Sequence, residues 1–149
     1  MPVIGVPKFE RLFRAEASLN VDKDDLKRYS GFVSQQIYDL LVVGQATAKA
    51  NGRDVIEPHD LPITAGLQEG MHRFRKLDEE IELQPILERL AERPQLDLTV
   101  SEDTWDRLPL ILGGLTVALA CTFKILDPKL KNPQSEHWER ALRIFDLLL

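Results

Sequence analysis

Two stretches of the chain, Leu19-Asn20-Val21-Asp22-Lys23-Asp24-Asp25-Leu26 and Leu98-Thr99-Val100-Ser101-Glu102-Asp103-Thr104-Trp105, carry one pattern. Each runs leucine, polar, valine, capping residue, charged, aspartate, polar, large apolar. Leucine and valine two apart suit a short extended segment, where alternate side chains share a face. Asp22 and Ser101 are both N-cap residues, and carboxylates follow each within a turn. The repeat therefore marks one structural event twice: a strand-like segment handing over to a capped helix.

Outward from these two points the order of elements also repeats. Before the first, Phe9, Leu12, Phe13 and Ala17 share one face of a short helix expected over about Pro7–Ala17. After it, Leu26, Tyr29, Val33, Ile37, Leu40, Leu41 and Gly44 trace the inward stripe of a long helix reaching about Ala50. Asn51-Gly52 stops that helix, Asp54-Val55-Ile56 is extended, and Pro58 opens a third helix to about Gln68. A linker follows, Glu69-Gly70-Met71 and the basic His72-Arg73-Phe74-Arg75-Lys76, with room for partial helix. Then come a short helix over about Ile81–Glu92, an extended Leu96–Val100, and a second long helix from Ser101 to about Leu126. Asp127-Pro128 stops it, and Asn132-Pro133 opens a last helix with Trp138, Leu142, Phe145 and Leu149 facing inward. The expectation is an all-α chain divided as a first half over 1–70, a linker over 71–80 and a second half over 81–149, together one compact domain.

That order resembles the histone fold, and the residues agree in the first half. Phe9-Glu10-Arg11-Leu12-Phe13-Arg14 looks like the first histone helix. Asn51-Gly52-Arg53-Asp54-Val55-Ile56-Glu57-Pro58-His59-Asp60-Leu61 looks like the second histone loop and the start of the third helix. In that family a loop arginine pairs with an aspartate seven residues on, the spacing of Arg53 and Asp60. The resemblance covers about residues 7–70 well, and the second half follows by element order and by the internal repeat. Lys129 and Glu136 keep the spacing there, but a lysine lacks the planar two-pronged donor of arginine. The whole chain is similar to a small bacterial family with two histone folds in one polypeptide. The resemblance implies two tandem copies clasped as an intramolecular pseudo-dimer. A lone histone fold cannot cover both sides of its long helix, and tethering supplies the partner at high effective concentration. Gly113-Gly114 inside the second long helix would cost about 1 kcal/mol each relative to alanine. Their presence implies close approach of another backbone, expected to be the first long helix.

Function is less legible. The net charge of −5 opposes strong non-specific nucleic-acid binding. Residues 1–76 hold 11 Lys/Arg against 10 Asp/Glu, while residues 77–149 hold 8 against 14. His59, His72 and His137 lack metal-site spacing, and no phosphate-cradling glycine loop or nucleophile motif occurs. No enzyme, cofactor or metal is expected. The single cysteine, Cys121, lies in an apolar run and reads as a buried, inert thiol, which suits a reducing cytoplasm. The N-terminal Met1–Pro7 lacks the basic and long apolar regions of a signal peptide. The longest uncharged run, Leu108–Phe123, is shorter than the roughly 20 residues a bilayer span needs, and reads as a buried helix.

Two functions remain open. The resemblance implies weak, salt-sensitive, sequence-nonspecific DNA contact and, with it, a nucleoid location. Its candidate residues are Arg11 and Arg14 on the first helix, Lys23, Lys27 and Arg28 at the start of the long helix, and Arg53 in the loop. Against each stands an ordinary solvated charge, and for Arg53 a structural salt bridge with Asp60. Departures weigh against DNA: Val55 replaces the usual loop threonine, Glu88 stands where Arg11 stands in the first half, and Asp97, Glu102 and Asp103 fall on the surface that would meet phosphate. The alternative is a protein-interaction module that self-associates through the long-helix ends and third helices, with Leu147-Leu148-Leu149 in the interface. The surface-charge layout and the oligomeric state separate the two.

Overall fold

The computed structural model describes residues 2–149. It contains six helices: α1 (Val6–Ala17), α2 (Lys23–Ala50), α3 (Ala65–Lys76), α4 (Leu83–Leu90), α5 (Glu102–Leu126) and α6 (Ser135–Leu148). Two-residue strands, β1 (Val55–Ile56) and β2 (Thr99–Val100), and a 3-10 turn at Pro58–Asp60 complete the described elements. The fold is all-α and loosely resembles the histone fold.

The repeated motif opens both long helices. Asp22 accepts from the Asp25 backbone N–H at 3.0 Å, and Ser101 accepts from the Thr104 N–H at 3.1 Å. The Asp25 side chain in turn accepts the Asp22 N–H at 3.0 Å, closing a capping box. The inward stripe expected for α2 is buried throughout, from Leu26 to Gly44. Residue for residue, so is that of α1: Phe9, Leu12, Phe13 and Ala17. Helix α5 is buried on nearly all sides between Ile111 and Val117. It is long and apolar enough to cross a membrane, but 61% of its most apolar window is buried inside the protein, where it serves as the central core helix. One hydrophobic cluster joins all six helices.

Several expectations need correction. The third helix does not begin at Pro58. A single 3-10 turn forms there, Leu61 before Pro62 is extended (ψ 134°), and α3 starts only at Thr64, whose hydroxyl accepts the Leu67 N–H at 3.1 Å. Proline disfavours helical backbone in the residue before it, so Pro62 delays the helix. The first part of the expected linker is helical, as the sequence allowed: α3 runs to Lys76, and Phe74 is buried.

Gly113 and Gly114 do meet another element closely, but it is α3 and not the first long helix. A Cβ on Gly70 would lie 2.6 Å from the Gly114 carbonyl oxygen, and one on Gly113 would collide with the Phe74 ring. The last helix starts at Ser135 and not at Asn132. Within it Trp138 and Phe145 are buried and Leu142 is half-buried, while Leu149 beyond its end is exposed.

Candidate functional site

Two loop junctions are built from complementary pieces of the chain. At the first, β1 pairs in parallel with β2, Val55 opposite Thr99 and Ile56 opposite Val100. Ser101 N–H donates to the Ile56 carbonyl at 3.1 Å, and the Thr104 hydroxyl donates to the same oxygen at 2.9 Å. At the second, Asn20 N–H donates to the Lys131 carbonyl at 2.7 Å. Each junction therefore joins a loop beside α2 to a loop beside α5.

Charge separates the two junctions. Behind the first, Arg53 grips Asp60 with both guanidinium nitrogens, Nη1 to Oδ2 at 2.6 Å and Nη2 to Oδ1. Glu57 N–H also donates to Asp60 Oδ2 at 2.8 Å. The Asp60 side chain is fully enclosed, yet the Arg53 hydrogen bonds hold its carboxyl down to about 2, against the opposing effect of burial. Lys49 is bound to Asp97 at 2.7 Å, which lowers the Asp97 pKa. Arg53 and Lys49 are thus occupied, Asp54, Glu102 and Asp103 are exposed, and Arg75 and Arg107, which line a cleft with Glu57 and Asp103, form no ion pair among the described residues.

The second junction has the opposite balance. Lys23, Lys27, Lys129 and Lys131 are exposed, and none forms an ion pair among the described residues. Arg28 donates to the Ser135 hydroxyl at 2.8 Å, and Lys124 donates to the Leu130 carbonyl at 2.6 Å. Asp22, Asp24 and Asp127 dilute this positive surface without pairing to it.

On α1, Arg11 binds Glu79 at 3.0 Å and Lys8 donates to the Glu80 carbonyl, while Arg14 is exposed. Of the six DNA candidates, Lys23, Lys27 and Arg28 lie in the first two turns of α2, Arg53 is bound to Asp60, and Arg11 and Arg14 are on α1, Arg11 bound to Glu79.

The spacing of Lys129 and Glu136 produces no ion pair among the described residues. The position that matches Asp60 is His137, one residue on, whose Nδ1 accepts the Gln134 N–H at 2.9 Å. Both residues thus cap the start of their closing segment. Leu130, buried, stands seven residues before His137 where Arg53 stands before Asp60.

Other polar contacts had no sequence signal. Trp138 Nε1 donates to Asp25 Oδ1 at 2.8 Å, tying α6 to the start of α2. Burial raises the Asp25 pKa, and the indole hydrogen bond works against that rise. Tyr29 and Thr116 hydroxyls meet at 2.7 Å in the core, and burial pushes the Tyr29 phenol up. Cys121 is half-buried, 3.7 Å from a Glu16 carboxylate that also pairs with Arg73, and burial raises its thiol pKa. Among the described residues no group of three or more His, Cys, Asp or Glu side chains could hold a metal ion.

The model of a domain of unknown function, DUF1931, matches residues 9–146. The chain belongs to the DUF1931 family. An uncharacterized protein of Aquifex aeolicus (strain VF5) is 28% identical over 142 residues, spanning 95% of this chain and 82% of the relative. Among solved structures, one from Thermus thermophilus superposes with a TM-score of 0.95 at 54% identity, covering 99% of both chains. A protein of known structure from Aquifex aeolicus gives 0.83 at 26% identity, covering 99% of this chain and 97% of that one. The histone from Methanopyrus kandleri gives 0.58 at 16% identity, covering 91% of this chain and 90% of that one, a likeness of fold.

Proposed function

We propose that this DUF1931 protein is a non-enzymatic assembly module: two histone folds in one polypeptide, clasped as a pseudo-dimer, that mates with a second copy of itself through the α5–α6 face. The repeated capping motif and the two crossed loop junctions support the pairing of halves. The observation that carries the self-association is the apolar face. Ile125, Leu147 and Leu148 are 81%, 84% and 74% exposed. Ile125 shares a helical face with Ala118 and Thr122, and Leu147 follows Ile144 by one turn. Ala118, Thr122, Ile144 and Leu148 line a groove of about 300 Å³. Contiguous exposed apolar side chains of this kind are a mark of an interaction surface when the patch exceeds a few hundred Å². A symmetric pair of small patches falls at the low end of specific interfaces, and a dimer that forms only at about 10–100 μM is expected.

Sedimentation equilibrium across that range tests it. The wild-type chain forms dimer with rising concentration, and the Ile125→Glu/Leu147→Glu chain stays monomeric. A wild-type chain that is wholly monomeric at several hundred micromolar removes the reading.

A second reading rests on a separate observation, the unpaired cations Lys23, Lys27, Lys129 and Lys131 gathered at one junction. They favour weak DNA contact by one end of the molecule only. Each phosphate neutralised adds about −0.9 to the slope of log affinity on log salt, so a few contacts give a slope of about −3. Retardation of duplex DNA at low salt that disappears in Lys27→Glu/Lys131→Glu supports this reading, and no retardation at tens of micromolar removes it.

A further inference from the structure

The two sides of the fold are not equally filled. Under α1, the rings of Phe9, Phe13 and Tyr29 touch one another, with Phe9 and Tyr29 centroids 4.9 Å apart, and Leu19 is fully buried. Helix α4 is shorter, 8 residues against 12 in α1, and brings no aromatic ring. Leu98, which matches Leu19 in the repeat, is left half-exposed. The result is an open hollow of about 600 Å³ between α2 and the chain from α4 to β2, its apolar wall formed by Leu41, Leu87, Leu90, Leu98 and Trp105.

At the edge of this hollow stands an uncompensated pair of cations. Arg93 lines it, and Arg89 lies one helical turn earlier. The Nη2 atoms of both lie 3.5 Å from the same Ser34 hydroxyl, so the two guanidiniums converge on one point. Ser34 is buried and donates its own proton to the Ser30 carbonyl at 2.7 Å. Arg93 also reaches the Gln35 amide oxygen. Neither arginine forms an ion pair among the described residues. The carboxylate that lines the hollow, Asp97, is bound to Lys49, and Tyr38 donates its hydroxyl proton to the Pro94 carbonyl at 2.9 Å.

We propose that the hollow binds an amphipathic small molecule, a flexible apolar body of about eight to ten carbons ended by one carboxylate, in the size range typical of ligand pockets. The apolar body lies against the leucines and the Trp105 indole. The carboxylate sits at Arg93 and Arg89, where two planar donors match its two oxygens and supply the missing counter-charge. This site is independent of the α5–α6 face and of the second loop junction, and it adjoins the first, whose Asp97, Thr99 and Val100 line it.

Decanoate, used below its micellar concentration with the intact chain, is the probe. Trp105 lies in the hollow while Trp138 is sealed in the core, so emission reports on the site. Saturable one-to-one binding, with an emission change lost in Trp105→Phe and calorimetric heat retained, is the expected result. Arg89→Ala/Arg93→Ala weakens it roughly tenfold or more, the worth of a charged hydrogen-bond pair, and Arg89→Lys/Arg93→Lys recovers part of the loss. Thermal melts establish that each variant is folded, and Leu98→Glu, at a half-exposed position, gives a second block by placing a carboxylate in the hollow. Absence of saturable heat with decanoate at about 2 mM, well above the weakest specific binding expected, overturns the proposal. So does decanol binding as tightly as decanoate, or loss of binding in Leu147→Glu/Leu148→Glu with retention in the arginine variants.

Discussion

Helix α3 lies on α5 with glycine against glycine, whereas α6 is held to both long helices by rings. At the α3 crossing the Gly114 carbonyl oxygen occupies the space where a Gly70 Cβ would stand, and the Phe74 ring lies against Gly113. At α6, Phe145 meets Phe32 of α2 edge to face at 4.9 Å, and Trp138 meets Phe123 of α5 in the same way at 4.9 Å. The first contact gains by bringing backbones together, so that many atoms touch at close range. The second gains by removing large apolar surface from water and by edge-to-face geometry. An intimate crossing tolerates no added atom. A ring-filled one tolerates no loss.

Substitutions can break that contrast in order of size. Phe145→Ala empties the ring-filled side and is expected to cost about 4 kcal/mol, as buried phenylalanine truncations do, read as a fall in the urea midpoint. Gly70→Ala overpacks the intimate side. It forces a methyl toward backbone that cannot rotate away, and is expected to cost about 2–3 kcal/mol despite alanine's better helix propensity. A neutral Gly70→Ala would mean that α3 slides freely on α5 and that the contrast is false.

Asp60→Asn removes the charge that Arg53 grips and is expected to cost about 2 kcal/mol at neutral pH. The sign of its pH dependence is fixed by the lowered pKa. Because the folded carboxyl titrates near 2, below its unfolded value of roughly 3.9, its contribution is full above about pH 4 and fades as pH falls toward 2. The gap between wild type and variant in acid denaturation should close over that window. Smallest of the set is Gly66→Ala. Its Cβ would meet nothing within 4 Å on the exposed start of α3, and it should stabilise by about 0.5–1 kcal/mol. Together Gly66 and Gly70 distinguish a glycine that is merely helix-weakening from one that the crossing requires.

The sequence disclosed what local chemistry determines. The cap residues Asp22 and Ser101, the stripes of α1 and α2, and the wrapped α5 all follow from spacing along a single helix. The Arg53–Asp60 pair was legible because both residues lie in one short loop. What escaped depends on which distant faces meet. Nothing near Gly113 says that its neighbour is Phe74 and not a residue of α2. Nothing near Trp138 names Asp25, which is 113 positions away. The cations followed the same rule: their positions were plain, but the engagement of Arg11 by Glu79 and of Lys49 by Asp97 needed the folded chain. The hollow beside Arg93 was hidden for a further reason, since it arises from side chains that are absent compared with α1.

The crossed wiring of the loop junctions bears on how the protein is made. The loop around Asn20 finds its hydrogen-bond partner only at Lys131, and β1 finds its own only at Thr99–Val100. Phe74 has no cover until α5 exists. During synthesis at about 5–20 residues per second, the earlier-made helices therefore wait several seconds with apolar faces open to water. Binding by a chaperone should be concentrated in that interval, and a ribosome stalled between residues 80 and 100 should hold a nascent chain that proteases cut freely.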